Sequence, residues 1–304
     1  MSDRCPLTGS AGRELRCRLP EELAASYQTY VGNALPAEFI KKYFQKPIQE
    51  YESQESGLRW FSPSILAEDD FYNYLAATYS WYYDEESWDK QRALGFLQRF
   101  RTPGFIDVGC GEGMFLDMAR QAGVHGIGID MNPKAIAQAQ SSGHQAYLAT
   151  DLPANLQLPP TLCLFQTLEH VSDPLGMVDT YVKRSKCKNL IITVPCFETY
   201  LGYASDPLVW PPHHVTFWSE KALRILAELI GFRVTKICYQ PMVLGRFISL
   251  WRREPCDRLP LGPIRLRNPG RSPLPCLVAK YLLGRLHRSD WASRSHSVLA
   301  ILQR

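Results

Sequence analysis

Long apolar runs are missing from this 304-residue chain: nothing in it approaches the roughly 18 consecutive apolar residues of a membrane span. The opening text, Met1-Ser2-Asp3-Arg4-Cys5-Pro6, has no apolar signal region. Paired cysteine motifs are missing too. The nine cysteines (5, 17, 110, 163, 187, 196, 238, 256 and 276) are odd in number, and none has C-x-x-C spacing. Several, such as Cys163 and Cys238, sit in apolar strand-like runs, which reads as reduced, buried thiols rather than a disulfide framework. A cytoplasmic protein is the expectation. Internal repeats and low-complexity tracts are absent as well. What is present is an ordinary globular composition, 45% hydrophobic and 12% aromatic, long enough for one large domain or two smaller ones.

Net charge is small at +4, but it is unevenly placed. Residues 246–304 hold 12 Lys+Arg against 3 Asp+Glu, a local +9, so the rest of the chain carries −5. Such a basic part suits a phosphate-bearing substrate, an anionic carrier or a membrane surface, and it equally suits solvated arginines on a loop and helix.

The densest signal lies at residues 105–132. An apolar strand ends on Asp107, and glycines follow at alternate positions, Gly109, Gly111 and Gly113. A helical run leads to a second apolar strand ending on Asp130, 23 residues after Asp107. Glycine supplies the positive φ and the missing Cβ that a strand-to-helix turn needs when backbone approaches a ligand. The dinucleotide fingerprint is G-x-G-x-x-G, aimed at a pyrophosphate. Here the spacing is G-x-G-x-G with a carboxylate two residues before the first glycine. That carboxylate would repel a pyrophosphate but suit the ammonium of a methionine moiety. Asp130 is placed to accept hydrogen bonds from both ribose hydroxyls. The layout therefore favours S-adenosylmethionine (SAM) over NAD. Cys110, inside the loop, reads as a small packing residue rather than a nucleophile.

Helix-like segments at 20–31 and 36–44 and an aromatic run, Phe71-Tyr72-Asn73-Tyr74 through Trp81-Tyr82-Tyr83, fill the first 80 residues without a βα repeat. From about residue 90 the pattern alternates. Helices are predicted at 88–99, 114–122, 133–141, 174–183, 219–230 and 277–286. Strands are predicted at 104–108, 124–129, 144–148, 162–165, 189–194, 232–238 and 297–302. Asn132 and Ser219 read as helix caps, and Pro133 as a first-turn residue. Alternation of this kind implies a doubly wound, mostly parallel seven-stranded α/β sheet, with ligands beyond the carboxyl ends of its strands. Two parts are expected: a small N-terminal cap over 1–84, and a domain over 85–304 with a basic excursion at about 246–296.

With these residues in view, the chain resembles the class I SAM-dependent methyltransferases. The stretch Asp107-Val108-Gly109-Cys110-Gly111-Glu112-Gly113 matches their first motif. The resemblance implies a cofactor site of Asp107, Gly109, Cys110, Gly111, Gly113, Asp130 and Met131. It adds Asp151-Leu152 against the adenine, and Gln166. Gln166-Thr167-Leu168-Glu169-His170-Val171-Ser172-Asp173-Pro174 is similar to the E-H-V-x-D-P segment of the ubiquinone-biosynthesis O-methyltransferase and its small-molecule relatives. So is Pro212-His213-His214-Val215-Thr216-Phe217-Trp218-Ser219. The candidate catalytic residues are His170, Glu169, His214 and His213. His170 reads either as a base or as a structural histidine. Glu169 either orients it or ties down its loop.

A second resemblance lies at the N-terminus, where related enzymes carry a zinc-binding cap written C-P-x-C-G-S and Y-x-C-x-x-C-G-L. Here the text is Cys5-Pro6-Leu7-Thr8-Gly9-Ser10 and Tyr51-Glu52-Ser53-Gln54-Glu55-Ser56-Gly57-Leu58. Thr8, Ser53 and Ser56 stand where three thiolates would be, and one thiolate cannot hold zinc. No metal is expected.

Functionally, the resemblance implies methylation of O, C or N on a small molecule, in sugar, polysaccharide or secondary-metabolite synthesis. A nucleic-acid or protein methyltransferase is the first alternative. Only the basic tail supports it, and the N/D-P-P-Y/F signature is absent after the fourth strand. A non-catalytic SAM-binding partner subunit is the second. A dehydrogenase is opposed by the glycine spacing.

Overall fold

The computed structural model describes residues 3–31, 35–78, 88–199, 206–245, 247 and 294–304. The expected helix at 277–286, most of the basic excursion and the Trp81-Tyr82-Tyr83 aromatics lie outside them.

The main sheet is built from β4 (Phe105–Val108), β5 (Gly126–Asp130), β6 (Gln145–Leu148), β7 (Thr161–Phe165), β8 (Asn189–Pro195), β10 (Arg233–Pro241) and β11 (Arg294–Gln303). Their spatial order is β10-β11-β8-β7-β4-β5-β6. β4, β5, β6, β7 and β8 pair in parallel, and β11 runs antiparallel between β8 and β10. This is the doubly wound, mostly parallel seven-stranded sheet that the alternation predicted. The strand order reverses between β4 and β7, so the switch point falls beside the glycine loop.

Period-two alternation splits the core into two layers. Ile106, Val108, Leu162, Leu164, Leu190 and Ile192 face α7 (Pro174–Arg184) and α8 (Glu220–Leu229). Phe105, Cys163, Phe165 and Ile191 face α4 (Trp88–Phe100) and α5 (Met114–Gln121). Asp107 follows Phe105 onto the α4 side, a placement that matters below. The predicted caps form: Asn132 accepts from Lys134 N and Ala135 N ahead of α6 (Pro133–Ser141), and Ser219 from Ala222 N.

The N-terminal part holds α1 (Pro20–Val31), α2 (Ala37–Tyr43) and α3 (Asp69–Thr78). It also holds a four-stranded antiparallel sheet that sequence patterning did not foresee. Its strands are β1 (Arg13–Arg18), β2 (Ile48–Glu52), β3 (Arg59–Ser62) and β9 (Thr216–Phe217). β9 comes from the later part of the chain, pairing Arg59 with Phe217 and Trp60 with Thr216. Leu208, Val209, Trp210 and Phe217 complete a core with Leu23, Tyr27, Phe39, Tyr43 and Phe71. The N-terminal part is thereby fastened to the 206–217 segment, where Val215 N donates to Glu169 O just after β7.

The two N-terminal text matches meet in space. The Cys5 thiol lies 3.2 Å from Ser56 Oγ, and Thr8 Oγ1 reaches Ser10 Oγ at 2.7 Å. Ser10 Oγ in turn lies 3.1 Å from Ser53 Oγ, which accepts from Ser56 N at 3.0 Å. The two turns are alike: Gly9 N donates to Cys5 O and Gly57 N to Ser53 O, each glycine at φ +69°. A hydroxyl network thus ties together four positions with knuckle spacing. Ser53→Ala removes the acceptor for a buried amide, which costs about 2 kcal/mol. A melting temperature lower by about 3 °C is expected by calorimetry; an unchanged value would mean the network contributes nothing.

Candidate active site

Strand β4 delivers Asp107 and then the glycine loop at the switch point. Gly109, Gly111 and Gly113 have φ of +82°, +54° and +92°. At Gly109 the constraint is also steric, since a Cβ would lie 2.6 Å from Thr167 Oγ1. At Gly111 a Cβ would meet nothing within 4 Å, so the loop's tip borders open space. Asp130, at the end of β5, braces that tip. Its Oδ2 accepts from Gly111 N and its Oδ1 from Asn132 N, each at 2.8 Å. Each carboxylate oxygen keeps a further lone pair for a ligand hydroxyl. Met131, next in the chain, is 69% exposed beside it.

Asp107 is buried, and its Oδ1 has no hydrogen-bond partner. Burial pushes its carboxyl up to about 7; Lys90 at the start of α4 works against that rise, while Asp130 and Asp89 add to it. A buried polar atom without a partner is costly and implies a missing one. Asp89 and Lys90 come to the site because α4 starts over the ends of β4 and β8. Asp89 Oδ2 accepts from Thr193 Oγ1 at 2.8 Å. Lys90 Nζ lies 3.6 Å from Met114 Sδ.

The remaining expected cofactor residues divide. Asp151 is exposed at the end of a short turn (Ala149–Asp151), and Leu152 packs on the core. Arg184 pins this turn by donating to Leu152 O and Pro153 O. The Cys110 side chain points inward, against Ile136, Ala139 and Ala146, and fills the space beside Gly128; burial pushes its thiol far up. Gln166 sits at φ +51°, with its amide donating to Thr193 Oγ1 (3.3 Å) and Ser297 Oγ (3.2 Å). Its side-chain nitrogen is thus committed to β8 and β11. Thr167, which sequence reading passed over, donates to Val108 O or Phe165 O at 3.1 Å and clasps β4 to β7. Asp89 and Lys90 were also missed. No local pattern marks them; only the docking of α4 does.

The candidate catalytic residues separate as well. His170, His213 and His214 converge, with ring centroids 5.0, 4.8 and 4.4 Å apart. Tyr72 of α3 packs on His170 and His213 at 5.6 and 5.9 Å. Its hydroxyl lies 3.1 Å from His170 Nδ1, which also lies 2.7 Å from His213 O. Burial holds all three imidazoles neutral: His170 down to about 4, His213 to about 3, with the charge of His170 adding to the effect. Burial, with His213 and His170 nearby, takes His214 well below the usual range. A histidine near 4 is a weak general base. Glu169 does not join them. Its carboxyl is buried with both oxygens unpartnered, and burial, with Asp89 adding, raises it well above the carboxylate range. Its backbone carbonyl instead accepts from Val215 N at 2.8 Å, tying the two histidine-bearing segments together.

Fold and loop together define a Rossmann-like sheet with the glycine loop at its switch point. The chain belongs to the methyltransferase-domain family, whose model matches residues 80–237, over half of its length. It is a class I SAM-dependent methyltransferase. Similar solved structures include a SAM-dependent methyltransferase from Archaeoglobus fulgidus, 17% identical over 78% of this chain and 100% of that one, TM-score 0.48. Another is the magnesium protoporphyrin IX methyltransferase from Synechocystis, 16% identical over 71% and 81%, TM-score 0.43. A third is the plantazolicin methyltransferase BpumL in complex with SAH, 13% identical over 77% and 91%, TM-score 0.45. No curated protein sequence matches the chain.

The residues fit that cofactor. The unpartnered Asp107 oxygen answers an ammonium group, the spare lone pairs of Asp130 answer a ribose diol, and the tip at Gly111 leaves space. Among the described residues no helix is long and apolar enough to cross a membrane.

Proposed function

We propose that the chain transfers a methyl group to O, C or N of a small-molecule acceptor, of the sugar, polysaccharide or secondary-metabolite kind. The observation that carries this reading is the cover over the acceptor side. Tyr72 from the N-terminal cap packs on His170 and His213 beyond the end of β7. A cluster of aromatic and imidazole rings suits a compact ligand with a few polar groups. SAM, when bound, supplies an electrophilic methyl on a sulfonium. The work left to the chain is positioning, with the acceptor atom held near and in line. Asp107 and Asp130 fix the donor's tail and sugar, Met131 and Asp151 border its base, and the rings around Tyr72 hold the acceptor. Neutral imidazoles bring lone pairs rather than charge to that task.

The test is SAH formation across a panel of hydroxylated and aminated small molecules, run beside RNA, DNA and protein acceptors. Turnover with a small molecule is expected, together with no salt-dependent nucleic-acid binding. Turnover confined to a polymer would sink the reading.

A further inference from the structure

His170, His213 and His214 each offer a ring nitrogen, and the three nitrogens lie within 4.8 Å of one another. The tautomers of two are set by geometry. A backbone carbonyl only accepts, so His170 Nδ1 donates to His213 O (2.7 Å) and His213 Nδ1 donates to Leu208 O (2.8 Å). In both rings the lone pair is then on Nε2. A ring that gives its Nδ1 proton to a carbonyl and keeps Nε2 as donor atom is the usual state of a metal-ligating histidine. In the third ring, His214 Nδ1 is buried with no hydrogen-bond partner.

We propose that His170, His213 and His214 form a zinc site with three imidazole ligands and one open position. Tetrahedral zinc with bonds of about 2.0–2.1 Å places its nitrogens roughly 3.3 Å apart, so the triad must close by somewhat over 1 Å. Rotation of the rings supplies that movement, since the backbone already joins the segments through Val215 N and Glu169 O. Neutral imidazole is the ligand form, and imidazole suits zinc, copper, iron and nickel. Three histidines with an open fourth position make a zinc site that takes a ligand atom, not a closed structural one. This departs from the sequence expectation that the chain carries no metal, which was argued from the N-terminal segment where hydroxyls replace thiolates. The three rings are those that the small-molecule reading sets around the acceptor, so the inference rests on that same site, and metal binding is read without any acceptor so that the two can fail separately.

The experiment titrates tag-free, chelator-treated full-length protein with Zn2+ by calorimetry and with Co2+ by visible absorption. One ion per chain is expected, with a dissociation constant of about 1 µM or tighter, and cobalt bands of a four-coordinate nitrogen site. His170→Asn and His214→Asn should each weaken binding at least 100-fold, with chelated variants melting where the chelated wild type melts. Ser53→Ala should leave binding unchanged. If folded wild-type protein binds no ion saturably, the site is refuted. It is refuted equally if His170→Asn and His214→Asn, still folded, bind zinc like the wild type.

Discussion

Replacing Asp130 with alanine is expected to weaken SAM binding about 100-fold in calorimetric titration, with the melting temperature of the ligand-free protein changed far less. The side chain does two jobs with one carboxylate. Inside the protein it accepts from Gly111 N and Asn132 N, which sets the tip of the glycine loop against the start of α6. Toward the cleft it keeps a lone pair on each oxygen for a ribose hydroxyl. A hydrogen bond to a charged group is worth about 1.5–3 kcal/mol, so losing the pair costs about two to four decades in affinity, of which 100-fold is the lower end. Asp130→Asn sharpens the test. Whichever way the amide turns, its NH2 meets one of the two backbone donors, so the asparagine variant should recover little. Affinity within threefold of wild type for either variant would remove Asp130 from the cofactor site.

The glycine loop and the acid that braces it were legible in the sequence because their signals are local. A turn that needs positive φ demands glycine wherever the chain goes next, and a strand end that meets a ribose demands an acid. The same locality made the elements of the main sheet readable to within a few residues, and their caps at Asn132 and Ser219 readable to the residue. Legibility failed where partners are distant. The small sheet went unseen because Arg13–Arg18 is short and mostly charged, with only Leu15 and Cys17 apolar, and because its fourth strand is two residues long and arrives from 216–217. Its cohesion comes from ion pairs such as Arg16 with Glu50 at 2.7 Å, and from the shared aromatic core, neither of which has a period. Gln166 and Cys110 show how a side chain departs from its motif position, the packing of Cys110 being the one expected from sequence. Both stand at positions that border a cofactor by sequence, yet one side chain is spent on Thr193 and Ser297 and the other on packing beside Gly128. A motif position gives a backbone location; where the side chain goes depends on which neighbour satisfies it first. Lys90 and Asp89 are the reverse case, anonymous in sequence and placed at the centre of the electrostatics by one helix.

Affinity for SAM is expected to rise about tenfold per pH unit between pH 5.5 and 7, then level off. The cause is Asp107, whose burial pushes its carboxyl up to about 7 despite the opposing charge of Lys90. Below that value the ligand-free protein holds the acid protonated, and a neutral carboxyl offers little to an ammonium. Binding must then release a proton, and the cost of that release falls as pH rises. For the ligand-free fold the sign is opposite. A carboxyl raised above its unfolded value of about 3.9 favours the native state most at low pH. Its contribution is lost progressively as pH rises toward and through about 7, where ionised Asp107 sits buried without a full partner. The ligand therefore stabilises the protein most in the range where the empty site is weakest. Two measurements check this: calorimetry in buffers of different ionisation enthalpy, which counts the proton released near pH 6, and thermal melts with and without SAM from pH 5.5 to 8. Asp107→Asn should abolish both the proton release and the pH slope, and it should raise the melting temperature of the empty protein at pH 8. A wild-type affinity flat across this range would mean that some other group receives the ammonium, and Asp107 would then need another partner for its buried oxygen.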